Sequence, residues 1–598
     1  MPEYVLGISC FYHDSAAALL RDGELVAAAS EERFTRVKHD ASFPTNAARF
    51  CLNRAGITID DVQYLGFYDK PMLKLERLLL SHLQHFPKSK DQFIRAIPLW
   101  MKEKLPVRKV IRKELGWGRK PIWFCEHHVS HAASTFFASP FQEAAILNMD
   151  GVGEWATATS GVGRGNALEL THEIRFPHSL GLLYSAFTGY LGFKVNSGEY
   201  KVMGLAPYGE PTQVDRIKEL IDIADDGSFR LDMTYFDFDW GMRMANDAFF
   251  ELMGRGPREP GSEGMDAFYK DCARSLQEVV NEVMVKQATA LHERTGMTNL
   301  CMAGGVALNC VANGHVLRQS PFERLFVQPA AGDAGGALGV ALWIHNMVLG
   351  NERNVEGDAV ATNEVPRTWV MDRADWGPEF EQQAIKDVLD HYDAAYIEFD
   401  DDEALCKAAA HAVASGDVVG WFQGRMEYGP RALGNRSILG DPRVTDMRDR
   451  INLKIKFREG FRPFAPSVLA ERADEWFDLR GHDSPFMLLV ADVHEDRRTV
   501  PAITHVDGSA RVQTVTREAT PLYHALLTAF EAETGCPLVI NTSFNVRGEP
   551  IVCTPEDAFQ CFIRTHMDTL VVGRCLLRKK DQRTYPEIRD AREVFPLD

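Results

Sequence analysis

Apolar residues recur along this chain in short runs, each closed by a glycine or a polar cluster. Tyr4-Val-Leu-Gly-Ile-Ser9 reads as a strand, residues 15–20 as a second and 24–30 as a third, with Arg21-Asp-Gly-Glu24 turning the last hairpin. The same plan returns at 144–149, 155–161 and 167–175, with turns at Asp150-Gly-Val-Gly-Glu154 and Gly163-Arg-Gly165. Two copies of strand–turn–strand–turn–strand predict an internal duplication. In each copy the first turn is polar, Tyr12-His13-Asp14-Ser15 in one and Asp150-Gly-Val-Gly153 in the other. Facing turns rich in backbone N–H groups suit nucleotide phosphates. Two ordinary hairpins are the plain alternative.

Between the copies the period changes. Leu73, Leu75, Leu78, Leu79 and Leu83 are spaced for amphipathic helices, and residues 70–120 hold fourteen Lys/Arg against four Asp/Glu. Such a basic island reads as a solvated helical insertion, as the border of a channel for anionic substrates, or as a membrane-surface contact. Three Gly-rich segments follow. Asn196-Ser-Gly-Glu-Tyr-Lys201-Val-Met-Gly204 places Lys201 in a turn between apolar runs. Met302-Ala-Gly304-Gly305-Val-Ala-Leu-Asn309 follows a strand and opens a helix, where aligned N–H groups favour an anion. Gln328-Pro-Ala-Ala-Gly-Asp333 puts a carboxylate in a glycine turn before a small-residue helix.

Residues 356–375, polar and without periodicity, read as a linker between a first domain (1–355) and a second (376–598). In the second, Gly424-Arg425-Met-Glu-Tyr-Gly-Pro-Arg431 and Lys454-Ile-Lys456-Phe-Arg458-Glu-Gly-Phe-Arg462 gather cations among glycines and aromatics. Alternation is expected to send Lys454 and Lys456 to one face of an extended segment. Arg511 lies in a candidate strand. Pro537-Leu-Val-Ile-Asn541-Thr-Ser543-Phe-Asn545-Val-Arg547 reads as a strand ending in a polar loop that holds Asn541, Ser543, Asn545 and Arg547. Arginines presented from such loops suit bidentate phosphate recognition.

Composition narrows the class. At 598 residues the chain is too long for one core, and 45% hydrophobic with 25% charged residues is a globular balance. A net charge of −18 speaks against a general nucleic-acid binder. No apolar run is long enough to span a bilayer, residues 1–20 lack a signal-peptide layout, and eleven cysteines without CxxC spacing suit a reducing cytoplasm. The sharpest chemical signal is His127-His-Val-Ser-His131. On a helix, positions i and i+4 put both imidazoles on one face, a common start of a metal site, and Asp150 could add a third ligand. Core or solvated histidines are the alternative.

The motifs Tyr12-His-Asp-Ser-Ala-Ala-Ala18, Glu31-Glu-Arg-Phe-Thr-Arg-Val-Lys-His39, His127-His-Val-Ser-His131, Met149-Asp-Gly-Val-Gly-Glu154, Val202-Met-Gly-Leu-Ala206, Ala303-Gly-Gly-Val-Ala-Leu-Asn309, Gly429-Pro-Arg-Ala-Leu-Gly434, Arg462-Pro-Phe-Ala-Pro466 and Asn541-Thr-Ser-Phe-Asn545 run in order over nearly the whole chain. In them the sequence resembles the O-carbamoyltransferases of bacterial natural-product and nodulation-factor biosynthesis, including the tobramycin enzyme. Lys38-His-Asp40 and Phe67-Tyr-Asp-Lys-Pro71 are similar to the saxitoxin-type branch.

The resemblance implies an α/β chain with two parts. The first is a duplicated actin/Hsp70-like (RNase H-like) ATPase-fold domain related to the tRNA threonylcarbamoyl-transfer enzymes. The second is an α/β YrdC-like domain that forms an adenylate. It further implies that the second domain makes carbamoyladenylate from carbamoyl phosphate and ATP with Mg2+, and that the first passes the carbamoyl group to a hydroxyl of a small-molecule acceptor. Carried over, the metal ligands are His127, His131, Asp150 and Asp333, with iron as the family's ion and zinc or manganese equally suited to the donors. His13 with Asp14 is implied as the general base. Lys201, Gly204, Gly304, Gly305 and Asn309 are expected at the nucleotide. Arg425, Arg431, Lys456, Arg458, Arg462, Arg511, Asn541, Ser543 and Arg547 are expected at carbamoyl phosphate and ATP. No nucleic-acid partner is expected, and a homodimer is compatible with this picture. A threonylcarbamoyl transferase acting on tRNA and a catalytically idle nucleotide-binding scaffold are the rival readings.

Overall fold

The computed structural model describes residues 2–262, 264–353, 355, 370–458 and 460–595. The expected linker at 356–375 lies, through residue 369, outside the described residues. The chain packs as two compact units, one formed by Met1–Glu31 and His39–Asp372, the other by Glu32–Lys38 and Arg373–Asp598. A seven-residue stretch near the N-terminus thus packs within the second unit. The contiguous division expected above has no such excursion.

The first unit holds two five-stranded sheets of matching plan. In the first, β1 (Tyr4–Ser9), β2 (Ala16–Arg21) and β3 (Glu24–Ser30) form an antiparallel meander, and β4 (Tyr64–Phe67) and β5 (Trp123–Phe124) extend it in parallel, giving the order β3-β2-β1-β4-β5. Asp22 and Gly23 both take positive φ in the two-residue turn between β2 and β3, the geometry that tight hairpins require. The second sheet repeats the arrangement with β6 (Glu143–Met149), β7 (Ala156–Arg164) and β8 (Ala167–Arg175) as the meander. A small ribbon, β9 (Ile221–Ile223) with β10 (Phe229–Leu231), intervenes in sequence, and β11 (Asn299–Ala303) and β12 (Arg324–Val327) complete the order β12-β11-β6-β7-β8. The shared order makes the duplication visible as topology.

Two helices carry the centre of this unit. Helix His127–Phe136 and helix Asp333–Trp343 are buried along almost their whole lengths, and small residues let them touch backbone to backbone. A Cβ on Gly339 would stand 1.8 Å from the Ser130 carbonyl oxygen, and one on Gly7 of β1 would stand 1.9 Å from that of Ala337. Leu338, Val340 and Leu342 are fully or almost fully buried on the second helix, each worth about 1.5–3 kcal/mol of transfer free energy. The basic stretch is helical, with Pro71–Gln84, Lys90–Leu99, a wide turn at Trp100–Lys104 and Val107–Leu115.

The second unit is built on one nine-stranded mixed sheet. Its strands are β13 (Ile397–Glu398), β14 (Val419–Phe422), β15 (Arg436–Gly440), β16 (Ala465–Leu469), β17 (Leu489–Asp492), β18 (Ser509–Val515), β19 (Leu538–Ser543), β20 (Thr569–Val572) and β21 (Cys575–Arg578). They lie in the order β13-β21-β20-β14-β15-β19-β16-β18-β17. Helices Gln382–His391, Asp402–Ala414, Pro521–Thr534 and Pro555–Arg564 contribute buried faces to its core. All eleven cysteines are buried, and none forms a disulfide. Among the described residues no helix is long and apolar enough to cross a membrane.

Candidate functional site

His127 opens its helix at N1, and its backbone N–H donates to the Glu154 carboxylate, which also accepts from the Lys70 N–H. One turn later His131 projects from the same face. Its Nε2 lies 3.1 Å from that of His127. Asp150, just past the end of β6, brings Oδ2 to 2.9 Å from His127 Nε2 and 3.5 Å from His131 Nε2. Asp333, the first residue of its helix, brings Oδ1 to 3.5 and 3.8 Å from the same two nitrogens. Asp333 was expected in a glycine turn; it lies instead in the helix's first turn, where a carboxylate also meets the positive end of the helix dipole. The one atom that each of the four residues offers lies within 4.8 Å of the other three.

These donors fit a divalent ion. Metal–ligand bonds of about 2.0–2.2 Å put neighbouring donors roughly 3.0–3.6 Å apart, close to the 2.9–3.8 Å separations found. Asp333 Oδ2 is buried without a hydrogen-bond partner. Burial and the nearby Lys74 charge keep the His127 imidazole well below its ordinary pKa, hence neutral. Burial opposes ionisation of Asp150, but hydrogen bonds from His127 and His131 hold its carboxyl well below the usual range. Burial raises Asp333 to about 6. Two imidazoles and two carboxylates suit iron, zinc or manganese. His128 turns away: its Nδ1 is 3.0 Å from Thr159 Oγ1.

His13 and Asp14 lie on the turn after β1, where Asp14 takes φ 53°. Asp14 bridges two imidazoles, with Oδ2 at 2.8 Å from His13 Nδ1 and Oδ1 at 2.8 Å from His39 Nδ1. An ionised Asp14 selects the tautomer in which His13 Nδ1–H donates, leaving Nε2 free to accept a proton. Burial works against the His13 charge, yet Asp333, Asp14 and Asp150 together raise it to about 9. The role of His39 is missed by reading single motifs, although it closes the quoted run Glu31–His39.

The other residues expected here behave differently. Lys201 is buried inside helix Glu199–Leu205, with Nζ over the Phe193 ring, rather than in a turn. The glycine before it starts a helix that the apolar–polar pattern alone left as loop. Gly204 lies on the same helix. Gly304 has φ 93°, and a Cβ there would meet the Met149 carbonyl at 2.1 Å. The Gly305 N–H donates to Asp150 Oδ1 at 3.1 Å, so this turn is tied to the cluster. Asn309 caps helix Cys310–Gln319 and pairs with Gln277.

In the second unit, Lys456 is buried, and its ammonium donates to Ser543 O, to Ser543 Oγ (3.2 Å), to Asn545 O (3.0 Å) and to Asn545 Oδ1 (2.7 Å). Burial, then the Arg458 charge, draws it well below the ordinary lysine range. The expected extended alternation fails, because helix Met447–Lys454 leaves Lys454 exposed on its last turn and the chain then folds inward. Asn452 joins the segment by accepting from Arg458 Nε at 2.7 Å and donating to Arg462 O at 3.0 Å. The Arg547 N–H donates to Lys456 O.

Asn541 and Ser543 belong to β19 rather than to the loop. Asn541 is fully buried and donates to Ala432 O, Ser467 Oγ and Gln513 Oε1, so it supports the loop that carries Arg431. Arg511 lies in β18 opposite Val490. Arg425 turns to the carbonyls of Trp376 and Gly377.

Two family models match this chain, the carbamoyltransferase N-terminus over residues 4–342 and the carbamoyltransferase C-terminus over 410–579. An uncharacterized protein of Synechocystis sp. is 51% identical over an alignment of 633 positions that spans both chains in full. The nodulation protein NolNO of Sinorhizobium fredii is 39% identical over 95% of this chain and 79% of its own. A 3'-hydroxymethylcephem-O-carbamoyltransferase of Streptomyces clavuligerus is 34% identical over 47% of this chain and 49% of its own. Among solved structures, component A of the Acidaminococcus fermentans (R)-2-hydroxyglutaryl-CoA dehydratase covers 57% of this chain and 98% of its own at 16% identity, with a TM-score of 0.32, too low to carry an inference. Matched in order at both halves and along nearly its full length, the chain belongs to the carbamoyltransferase family and is a carbamoyltransferase.

Proposed function

We propose that this enzyme is an ATP-dependent O-carbamoyltransferase working at two sites. The second unit, read as YrdC-like, hydrolyses carbamoyl phosphate with one water to carbamate and phosphate, and the carbamate oxygen then attacks the α-phosphorus of ATP, giving carbamoyladenylate as pyrophosphate leaves. The first unit, read as an actin/Hsp70-like ATPase fold on the strength of its duplicated sheet order, transfers the carbamoyl group. The observation that carries the reading is the pair of constellations in the first unit, the cluster His127–His131–Asp150–Asp333 and the bridge His13–Asp14–His39.

In the transfer step, the acceptor hydroxyl oxygen bonds to the carbamoyl carbon while the bond from that carbon to the AMP oxygen breaks. His13 Nε2 takes the hydroxyl proton, and Asp14 holds the ring tautomer and offsets the charge gained. The cluster would hold a divalent ion, iron by family resemblance, which when bound supplies Lewis-acid stabilisation to anionic oxygens. The Gly304–Gly305 turn braces the cluster, its Gly305 N–H donating to Asp150 Oδ1. In the second unit, Lys456, Ser543 and Arg547 form the centre of the proposed phosphate site. Arg458, Arg462, Arg511 and the Asn541-supported Arg431 loop flank it.

The test is ATP–pyrophosphate exchange measured with carbamoyl phosphate or with threonine plus bicarbonate, followed by transfer from supplied carbamoyladenylate. Exchange is expected with carbamoyl phosphate. His13→Ala should keep exchange and lose transfer, and Arg547→Ala should lose exchange and keep transfer. Exchange only with threonine and bicarbonate would replace this reading with the tRNA-directed one.

A further inference from the structure

A partly open cavity of about 150 Å³ lies in the first unit between the turn after β1, the end of β4 and the basic helical stretch. It abuts the proposed transfer centre. Tyr12, adjacent to His13, lines it, as does Tyr68, whose ring packs edge-on against His127 at 5.3 Å. Val152, two residues past Asp150, closes that side. The opposite wall comes from the insertion. Trp100 adds an aromatic from this side, and the cations are Lys74, Arg77 and Lys104.

These cations are not equivalent. Lys74 is paired with Asp69 at 2.7 Å and buried, so the two charges offset each other. Lys104 lies over the Trp100 and Tyr12 rings at 5.2 and 5.9 Å. Arg77 lies over the Phe176 ring at 4.9 Å, and its Nε, buried, has no hydrogen-bond partner. The lining therefore sets three cations against one carboxylate. A guanidinium with an unused N–H in an aromatic-walled cavity matches a planar oxyanion. The volume is that of a cavity known to take one benzene-sized ring.

We propose that this cavity holds the carbamoyl acceptor, and that the acceptor is a small hydroxyl compound bearing a planar ring and an oxyanion, the ring between Tyr12, Tyr68 and Trp100 and the oxyanion at Arg77 with Lys104. The assignment of the occupant as acceptor rests on the transfer reading above; the selectivity for an oxyanion does not. It also gives the basic insertion a use in an acidic chain, with three of its cations lining the cavity.

The experiment measures binding to the full chain without ATP or carbamoyl phosphate, by calorimetry and saturation-transfer NMR. The probes share one ring and one hydroxymethyl group: para-hydroxymethylbenzoate, the matching phenylphosphonate, the neutral benzamide and the cationic benzylamine. The carboxylate or the phosphonate is expected to bind at least tenfold more tightly than the amide, and the ratio between the two anions identifies which oxyanion the site prefers. Arg77→Met should bring the preferred anion to within about twofold of the amide, whereas Arg77→Lys should keep part of the preference. Lys113→Met, an exposed change elsewhere on the insertion, should leave it intact and serves as the control for folding and net charge.

Equal or tighter binding of the amide or amine, an anion preference unchanged in Arg77→Met, or no binding of any probe at millimolar concentration would each overturn the proposal. Adding ATP and carbamoyl phosphate then separates the two readings. Carbamoylated amide without anion preference sinks the pocket assignment alone; anion preference without product from any probe sinks the transfer reading and leaves an oxyanion site.

Discussion

His13 is held between opposing influences. Burial disfavours its imidazolium, and the carboxylates of Asp333, Asp14 and Asp150 together outweigh burial, setting the pKa at about 9. A divalent ion at the cluster would offset two of those three carboxylates and add its own positive charge. Metal loading is therefore expected to lower the His13 pKa, turning a charged side chain into a competent base near neutral pH. Histidine NMR titrations between about pH 5 and 10, on chelator-treated and metal-loaded protein with His13 assigned through His13→Gln, should show the drop; an unchanged value would disconnect His13 from the cluster. The linkage has a definite sign. In the metal-free protein this raised pKa contributes stability below about pH 6.5 that is lost as pH rises through about 9. Asp333, raised to about 6 chiefly by burial, supplies one of the four donors. Asp333→Asn keeps the shape and removes the charge, and it is expected to cut bound metal, measured by elemental analysis after dialysis, at least tenfold while leaving the far-UV spectrum unchanged.

Between elements, the cluster depends on how closely two helices meet. His127 and His131 ride on one and Asp333 on the other, and Gly339 sits against the Ser130 carbonyl, between the two histidine-bearing turns and the helix of Asp333. Gly339→Ala must push the helices apart. The expected cost is about 1–3 kcal/mol by urea unfolding, together with a loss of metal affinity in chelator competition that exceeds what the lower stability alone explains. Intact affinity in the variant would show that the cluster tolerates helix displacement.

This level is also where sequence reading succeeds and fails. The i, i+4 spacing of His127 and His131 depends only on helix geometry, and the two meanders depend only on alternation and turn residues. All of these are local, and they are legible. Lys201, Asn541 and Lys454 were misplaced because their environments are set from afar. Asn541 is a buried strand residue only because Ser467 of β16 and Gln513 of β18 stand ready to satisfy it. The joining of Asp333 to Asp150, nearly two hundred residues apart, had no local signal and came from family resemblance alone.

At the scale of the whole chain, the exchanged stretch Glu32–Lys38 makes one unit depend on the covalent continuity of the other. Nothing periodic marks it, since seven residues are too few and the hydrogen-bond partners of Arg33 and Arg36 lie 396 to 515 positions away. Within the second unit, Arg33 donates to Gly429 O at 2.8 Å, on the loop that carries Arg431. Arg36, with φ 59°, donates to Ile551 O, Pro550 O and Glu549 Oε1 and lies 3.4 Å from Asp557. Glu549 is buried and accepts from the Val546 N–H, while its carbonyl accepts from Asn545 Nδ2; Asn545 in turn receives Lys456. Arg36 is thus linked to the proposed phosphate centre through two residues, Glu549 and Asn545, and acts on it by holding the loop from Ser543 to Glu549. Removing it leaves the buried Glu549 carboxylate without its cationic partner, a loss of about 3–5 kcal/mol for a buried pair. Arg36→Met in the full chain is expected to raise the KM for carbamoyl phosphate in ATP–pyrophosphate exchange about tenfold or more, with transfer from supplied carbamoyladenylate near its original rate. Arg36→Lys, which keeps the charge but loses the fork that serves two carbonyls and a carboxylate at once, should recover only part of the exchange. Equal loss of both half-reactions in Arg36→Met would mean general unfolding, and unchanged exchange would mean that the loop holds its form without the arginine.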